Sequence, residues 1–253
     1  MAHQATPVRR ARLGRALGPE PTAVSGAVLL LPGGDEVSGR RPSPLLAAAS
    51  VRAVGRRLAH AGRGEGLAAH VVHYRCRGWN GDEANLARDA TWAADEVVRR
   101  YGDVPVCLVG IGMGGRAGLR AGGHDAVNSV LALAPWLPDE RVAATPEPVK
   151  QLVGRQVLIV HGTNDGRTDP ELSFRLAARA KKANRDVCRF EVHADGHGLH
   201  QYRDEVLALA ADFVMGALFG RAVSRPVRDA FAAPPPLGLR MPLAAGFGKS
   251  LRK

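Results

Sequence analysis

Two short loops hold groups that could together move a proton. Asp165 lies in Asn164-Asp165-Gly166, just after the apolar run 157–160, and His197 lies in Asp195-Gly196-His197-Gly198, just after the run 187–193. A carboxylate that fixes an imidazole through one ring nitrogen leaves the other free to act as a general base. Read singly, Asp165 is a turn former and His197 a surface-loop histidine. Placed each after its own strand, they read as an Asp165–His197 dyad. The loop Gly110-Ile111-Gly112-Met113-Gly114-Gly115 is the third candidate, and it admits two motifs. As Gly110-x-Gly112-x-x-Gly115 it fits a dinucleotide fingerprint, which also requires the first strand-helix turn and an acid about 20 residues further on. Here the loop follows the third strand, and the next strand ends Leu131-Ala132-Leu133-Ala134-Pro135 without a carboxylate. The other motif is G-x-S-x-G, a sharp strand-to-helix turn that lifts a nucleophile above a sheet, with Gly112 where the serine would stand. A glycine carries no side chain, so no covalent acyl intermediate can form on Gly112. His193, His197 and His200 lack the accompanying acids or cysteines of a metal site, so neither metal nor cofactor is expected.

These loops need a frame, and the hydropathy pattern supplies one. Short β-branched or Leu-rich runs at 27–31, 67–74, 104–109, 127–134, 156–160 and 187–193 alternate with helical patterns at 45–60, 82–100, up to 121, 170–182 and 202–219. Runs this short, apolar throughout, suit strands buried on both faces, and their alternation with helices marks a parallel sheet. The expected fold is α/β, a mostly parallel sheet of about six to seven strands with helices on both faces. Ligands of such sheets bind beyond the carboxyl ends of the strands. The loops 32–39, 75–81, 110–115, 135–153, 161–169 and 194–200 are therefore the ones to inspect.

In this order the loops resemble the α/β-hydrolase family, in a bacterial form with a minimal cap. Val104-Pro105-Val106-Cys107-Leu108-Val109-Gly110 enters the turn, and Val157-Leu158-Ile159-Val160-His161-Gly162-Thr163-Asn164-Asp165 looks like the segment ending in the family's acid. Asp195-Gly196-His197-Gly198 looks like its histidine loop. The resemblance spans about 25–220 and begins at the third strand of the usual fold. It implies Asp165 and His197 as triad members, Gly112 as a vacant nucleophile position, and an oxyanion site from the backbone of Gly33, Gly34 and Met113. It also implies a small-molecule substrate or ligand. Asp35, Arg77 and Trp79, in loops on the same face, are candidate pocket residues. The segment 135–153 is too short for a large lid.

Composition bounds the rest. The 253 residues, 45% hydrophobic, suit one domain. The net charge of +11 is uneven: residues 1–19 contribute +4, residues 221–253 contribute +6, and 20–220 only +1. The expected organisation is a basic flexible tail over 1–22, an α/β domain over 23–220, and a basic tail over 221–253 in which Pro234-Pro235-Pro236 opposes regular structure. Such tails suit solvent, or else nucleic acid, acidic lipid or an acidic partner. Cys76, Cys107 and Cys188 are widely spaced and read as free thiols. No run is long enough to span a bilayer, and the start lacks a secretory pattern, so a cytoplasmic protein is expected. Thirty arginines against five lysines, with many Ala and Gly, suit a GC-rich bacterial source. Three functions stay open: noncovalent general-base catalysis by the dyad, an inert binding protein, or an ester or thioester hydrolase with Cys76, Ser38 or Ser129 as nucleophile.

Overall fold

The computed structural model describes residues 10–17, 23–139 and 145–249. Among them eight strands form one sheet: β1 Arg12–Ala16, β2 Gly26–Leu31, β3 Leu67–His73, β4 Val106–Ile111, β5 Val127–Leu133, β6 Gln156–Gly162, β7 Val187–Val192 and β8 Met241–Pro242. Their order is β1-β3-β2-β4-β5-β6-β7-β8, parallel throughout except that β1 runs antiparallel to β3. Six helices cover it: α1 Pro44–Ala61, α2 Asn85–Tyr101, α3 Met113–Ala121, α4 Pro170–Ala183, α5 Arg203–Phe219 and α6 Arg225–Ala232.

Side chains of a strand alternate between faces, and here both faces are dry. Ala27, Leu29 and Leu31 of β2 point into the layer that holds α2, α3 and α4, while Val28 and Leu30 point into the layer that holds α1, α5 and α6. The three-layer α/β arrangement expected from the apolar runs is the one observed. Local signals agree with it. Asp169 caps α4 by accepting from the N–H of Glu171, and Pro170 follows at the first helical position, where its missing N–H costs nothing.

From β2 the chain steps outward to β3, then crosses back to place β4 on the other side of β2. Such a reversal splays the loops that leave the two strands and opens a crevice between them. Residues 32–34 after β2 and Gly112 after β4 stand at this crevice.

The two ends of the chain are corrected. The sequence gives 1–22 and 221–253 no regular element, yet β1 pairs with β3 and β8 pairs with β7. Residues 1–9, 18–22 and 250–253 of those segments lie outside the described residues. In β1 only Leu13, with Ala11 and Leu17 beside it, faces apolar neighbours, and two arginines face water, so five residues gave too little pattern to register. At the other end Val227, Ala230, Leu239 and Leu243 are buried. The need for Val227, Ala230 and Leu243, which share a cluster with α5, was written in that helix: Arg203-Asp204-Glu205 is followed by fourteen residues with only one charge. A helix apolar all round must be covered on its outer side as well. Gly248 lies against Ala208, and the N–H of Gly246 donates to Glu205 at 2.9 Å, so the segment after α6 closes over α5.

Candidate active site

Gly112 joins β4 to α3 with φ +56° and ψ −120°, a backbone conformation that costs a residue with a side chain about 1–3 kcal/mol and glycine little. Its N–H donates to the Leu133 carbonyl at 2.9 Å, and its own carbonyl receives the N–H groups of Arg116 at 3.2 Å and Trp136 at 3.0 Å. The glycines on either side are required for a different reason. A Cβ on Gly110 would overlap the Gly114 carbonyl, and one on Gly114 would overlap the Leu31 carbonyl. A Cβ on Gly112 meets only His197, 3.8 Å from both Cε1 and Nε2. Any side chain placed at Gly112 therefore starts out beside the outer nitrogen of that imidazole.

Asp165, in the turn after β6, and His197, in the loop after β7, are brought together. Nδ1 of His197 donates to Oδ2 of Asp165 at 2.9 Å. The same carboxylate receives the N–H of Arg167 at 2.8 Å, the N–H of Thr168 at 3.0 Å and the Thr168 hydroxyl at 2.5 Å. Burial alone would raise its pKa, but these donors outweigh burial and hold the carboxyl down at about 2. It is an anion at neutral pH and fixes the Nδ1–H tautomer of His197.

A buried chain of donors stands behind Asp165. His161 is fully buried, with Nε2 3.1 Å from Thr168 Oγ1 and 3.3 Å from Asp165 Oδ2. Its Nδ1 lies 2.8 Å from the Ser173 hydroxyl, which accepts from Arg189 Nε at 3.0 Å. Burial, and then the Arg189 cation, push the His161 pKa down to about 4, so the ring is neutral at physiological pH. A bare Nε2 would set a lone pair against the Asp165 anion, which favours the proton there, while the Ser173 hydroxyl is shared between His161 Nδ1 and the Pro170 carbonyl, each 2.8 Å away. Arg189 in turn donates to Glu191 at 2.8 Å and to the Leu239 carbonyl at 2.9 Å, which ties the dyad to the segment after α6. The His197 loop has its own anchor. The Asp195 carboxylate receives the N–H groups of Gly196, His200, Gln201 and Tyr202 at 2.8–3.2 Å.

A cavity of about 730 Å³ lies above these groups, lined by Gly33, Gly34, Asp35, Arg77, Gly112, Met113, Thr168 and His197, with Ala47, Ala53, Val54 and Leu207 among its apolar walls. That size suits a small organic ligand. Met113 is the first residue of α3, so its N–H has no acceptor within the helix and stands beside Gly112. Arg77 pairs with Asp35 at 3.0 Å. Trp79 is corrected: it is not among the cavity residues but lies buried in the core, with the Arg116 guanidinium 3.8 Å above its ring. Arg116 is itself paired with buried Glu147 at 2.8 Å, so Trp79 supports α3 from outside the cavity. Ser38, Cys76 and Ser129 do not line the cavity either. Ser129 is fully buried in β5 and donates to Asn128, while Cys76 is buried in its loop, where burial raises its pKa. Among the described residues no three His, Cys, Asp or Glu side chains are grouped to hold a metal, and no helix is long and apolar enough to cross a membrane.

Thr168, His161, Ser173, Arg189 and Asp195 complete this arrangement, and sequence reasoning missed them. Two had a signal. Thr168 follows Asp165 by three residues, the spacing of a local side-chain-to-backbone turn. Arg189 and Glu191 are two apart in an otherwise apolar strand, which puts both charges on one face and requires a buried pair.

No family model matches the sequence, and no curated protein matches it. The structure is similar to several solved hydrolases. An α/β serine hydrolase without lid from Xanthomonas campestris aligns with TM-score 0.58 and 15% identity over 84% of this chain and 90% of that one. An esterase from Pyrococcus furiosus aligns with TM-score 0.60 and 13% identity over 77% of this chain and 83% of that one. A thermophilic esterase from Thermogutta terrifontis, solved with propionate bound, aligns with TM-score 0.58 and 18% identity over 84% of this chain and 91% of that one. At these identities the likeness establishes an α/β-hydrolase-like fold.

Proposed function

We propose that this chain acts on a small molecule by noncovalent general-base catalysis, with Gly112 at the position where serine hydrolases of this fold carry their nucleophile. His197 takes a proton from water or from a substrate hydroxyl held above Gly112, and Asp165 stabilises the imidazolium that results. The N–H of Met113, with the backbone at Gly33 and Gly34, faces the charge that develops on a carbonyl oxygen. The observation that carries this reading is the 3.8 Å separation between the Cβ direction of Gly112 and His197 Nε2, because it leaves the base aimed at unfilled space. That space suits one small reactant.

Because solved neighbours of this fold are named as esterases, activated carboxylic esters are the first substrates to test. Steady-state hydrolysis without an initial burst is expected in the unmodified protein, since no acyl-enzyme accumulates. His197→Ala should remove turnover while leaving binding of the ester's acid product intact. Equal turnover in His197→Ala and the unmodified protein would defeat the base assignment. Product binding without turnover in either protein would make the chain a binding protein.

A further inference from the structure

The near-neutral charge of residues 20–220 conceals a strong local excess. Residues 37–64 carry six arginines, Arg40, Arg41, Arg52, Arg56, Arg57 and Arg63, and no Asp or Glu. Since 20–220 sum to only +1, the remainder of that body is net acidic. Among the described residues none of the six arginines pairs with a carboxylate.

The structure shows where this charge lies. In α1, Val51, Val54 and Leu58 are buried against the sheet, whereas Leu45, Ala49, Arg52 and Arg56 are exposed. The spacing i, i+4, i+7, i+11 sets those four along one stripe of the helix. Ala49 also lines the cavity, so the stripe passes its mouth. Leu45 and Val37 are the most exposed large hydrophobic residues among those described, at 76% and 78%. Val37 is held there firmly. Asn80 N donates to Glu36 O at 2.9 Å, Gly78 N to Ser38 O at 3.1 Å, and Ser38 N to Asn80 Oδ1 at 2.9 Å, so backbone on both sides of Val37 is bound to the neighbouring loop. The acids at this mouth are Asp35, paired with Arg77, and Glu36, and Arg167 and Arg203 line the same cavity.

We infer that the face formed by Val37, Leu45, Arg40, Arg41, Arg52 and Arg56 docks on an anionic lipid surface, with the cavity mouth turned toward the lipid. Arginines without carboxylate partners meet the anionic headgroups, and the two aliphatic side chains enter the boundary below them. A single-stranded nucleic acid would use the arginines but not the aliphatic tips, and it would gain from exposed aromatic rings, whereas the large hydrophobics exposed among the described residues are all aliphatic. This inference is independent of the dyad: it stands or falls on the outer surface alone.

Co-sedimentation of the full chain with vesicles of phosphatidylcholine, alone or mixed with phosphatidylglycerol, tests it. Partition should be at least about tenfold stronger on the anionic vesicles and should weaken with added salt. Arg52→Glu with Arg56→Glu should reduce it at least about tenfold, and Val37→Ser with Leu45→Ser by several fold. All four positions are exposed, so thermal midpoints should be unchanged; if the Glu pair disturbs folding, Arg52→Gln with Arg56→Gln repeats the measurement. Equal partition on both vesicle types would overturn the inference. So would indifference to these substitutions, or preferential binding of a DNA duplex that survives Val37→Ser with Leu45→Ser.

Discussion

His161 Nε2 stands 3.3 Å from Oδ2 of Asp165, the same oxygen that His197 holds at 2.9 Å. One carboxylate oxygen thus lies between two imidazoles of opposite situation. His161 is sealed in the interior and His197 opens on the cavity.

The sealed ring has a pH signature. Its pKa falls from the ordinary 6.5 to about 4 on folding, so the unfolded chain binds the extra proton in that interval and the folded one does not. The stability held by neutral His161 is present above pH 6.5 and is lost as pH drops toward 4, by about 3 kcal/mol in all. Urea unfolding across that range should show the slope in the unmodified protein and not in His161→Gln. Parallel slopes would mean that another group titrates. A second loss, from Asp165, belongs to the interval from 3.8 down to about 2.

Gly112→Ser should give the protein reactivity toward a serine-directed phosphonate, because its Cβ emerges beside His197 Nε2. Labelling should disappear when His197→Ala is added. Since the new residue sits at φ +56°, the variant should lose about 1–3 kcal/mol of stability, and a hydroxyl misplaced by 1 Å would react about a hundredfold more slowly than a well-placed one. Labelling that survives His197→Ala would show that the dyad does not activate this position.

The flanking glycines should respond differently. Gly110→Ala and Gly114→Ala force a methyl into backbone carbonyls and should cost about 3 kcal/mol or more, whereas Gly112→Ala meets van der Waals contact only. Denaturant midpoints should therefore rank Gly112→Ala as the mildest of the three. The reverse order would contradict the close approach of α3 to β2 and β4.

Truncation after Gly220 should lower the thermal midpoint sharply and favour aggregation. It deletes the buried side chains of Val227, Ala230, Leu239 and Leu243, whose burial is worth about 4 kcal/mol or more together, and removes the Leu239 carbonyl from Arg189. Arg189→Met in the intact chain separates the two effects. It removes the cation that helps to lower the His161 pKa, so the NMR titration of His161 should move up toward the ordinary value while α5 keeps its cover. An unchanged midpoint in the truncated chain would show that the segment contributes nothing to the body.

The sequence carried the strands, the loop order and the Asp165–His197 pair because each depends on local pattern: apolar runs of strand length, and polar loops immediately after them. It did not carry β1 or β8, where two to five residues pair at a sheet edge and no hydrophobic period can develop. The loop of Trp79 lies on the cavity face, which makes the residue a pocket candidate by sequence, but its ring turns inward beneath Arg116. The donors behind Asp165 come from β6, α4 and β7, and only the folded sheet brings them into contact. The basic stripe of α1 was legible all along, but it is hidden when charge is summed over 20–220.

The closure over α5 also sets a schedule for synthesis. Residues 227–248, which cover the helix, are translated after it, and at about 5–20 residues per second they take a few seconds to appear. Through that interval a nascent chain carries an apolar helix without its cover and an Arg189 without its carbonyl. The uncovered side of α5 therefore persists until residues 227–248 have been made, and slower codons before this stretch would lengthen that interval.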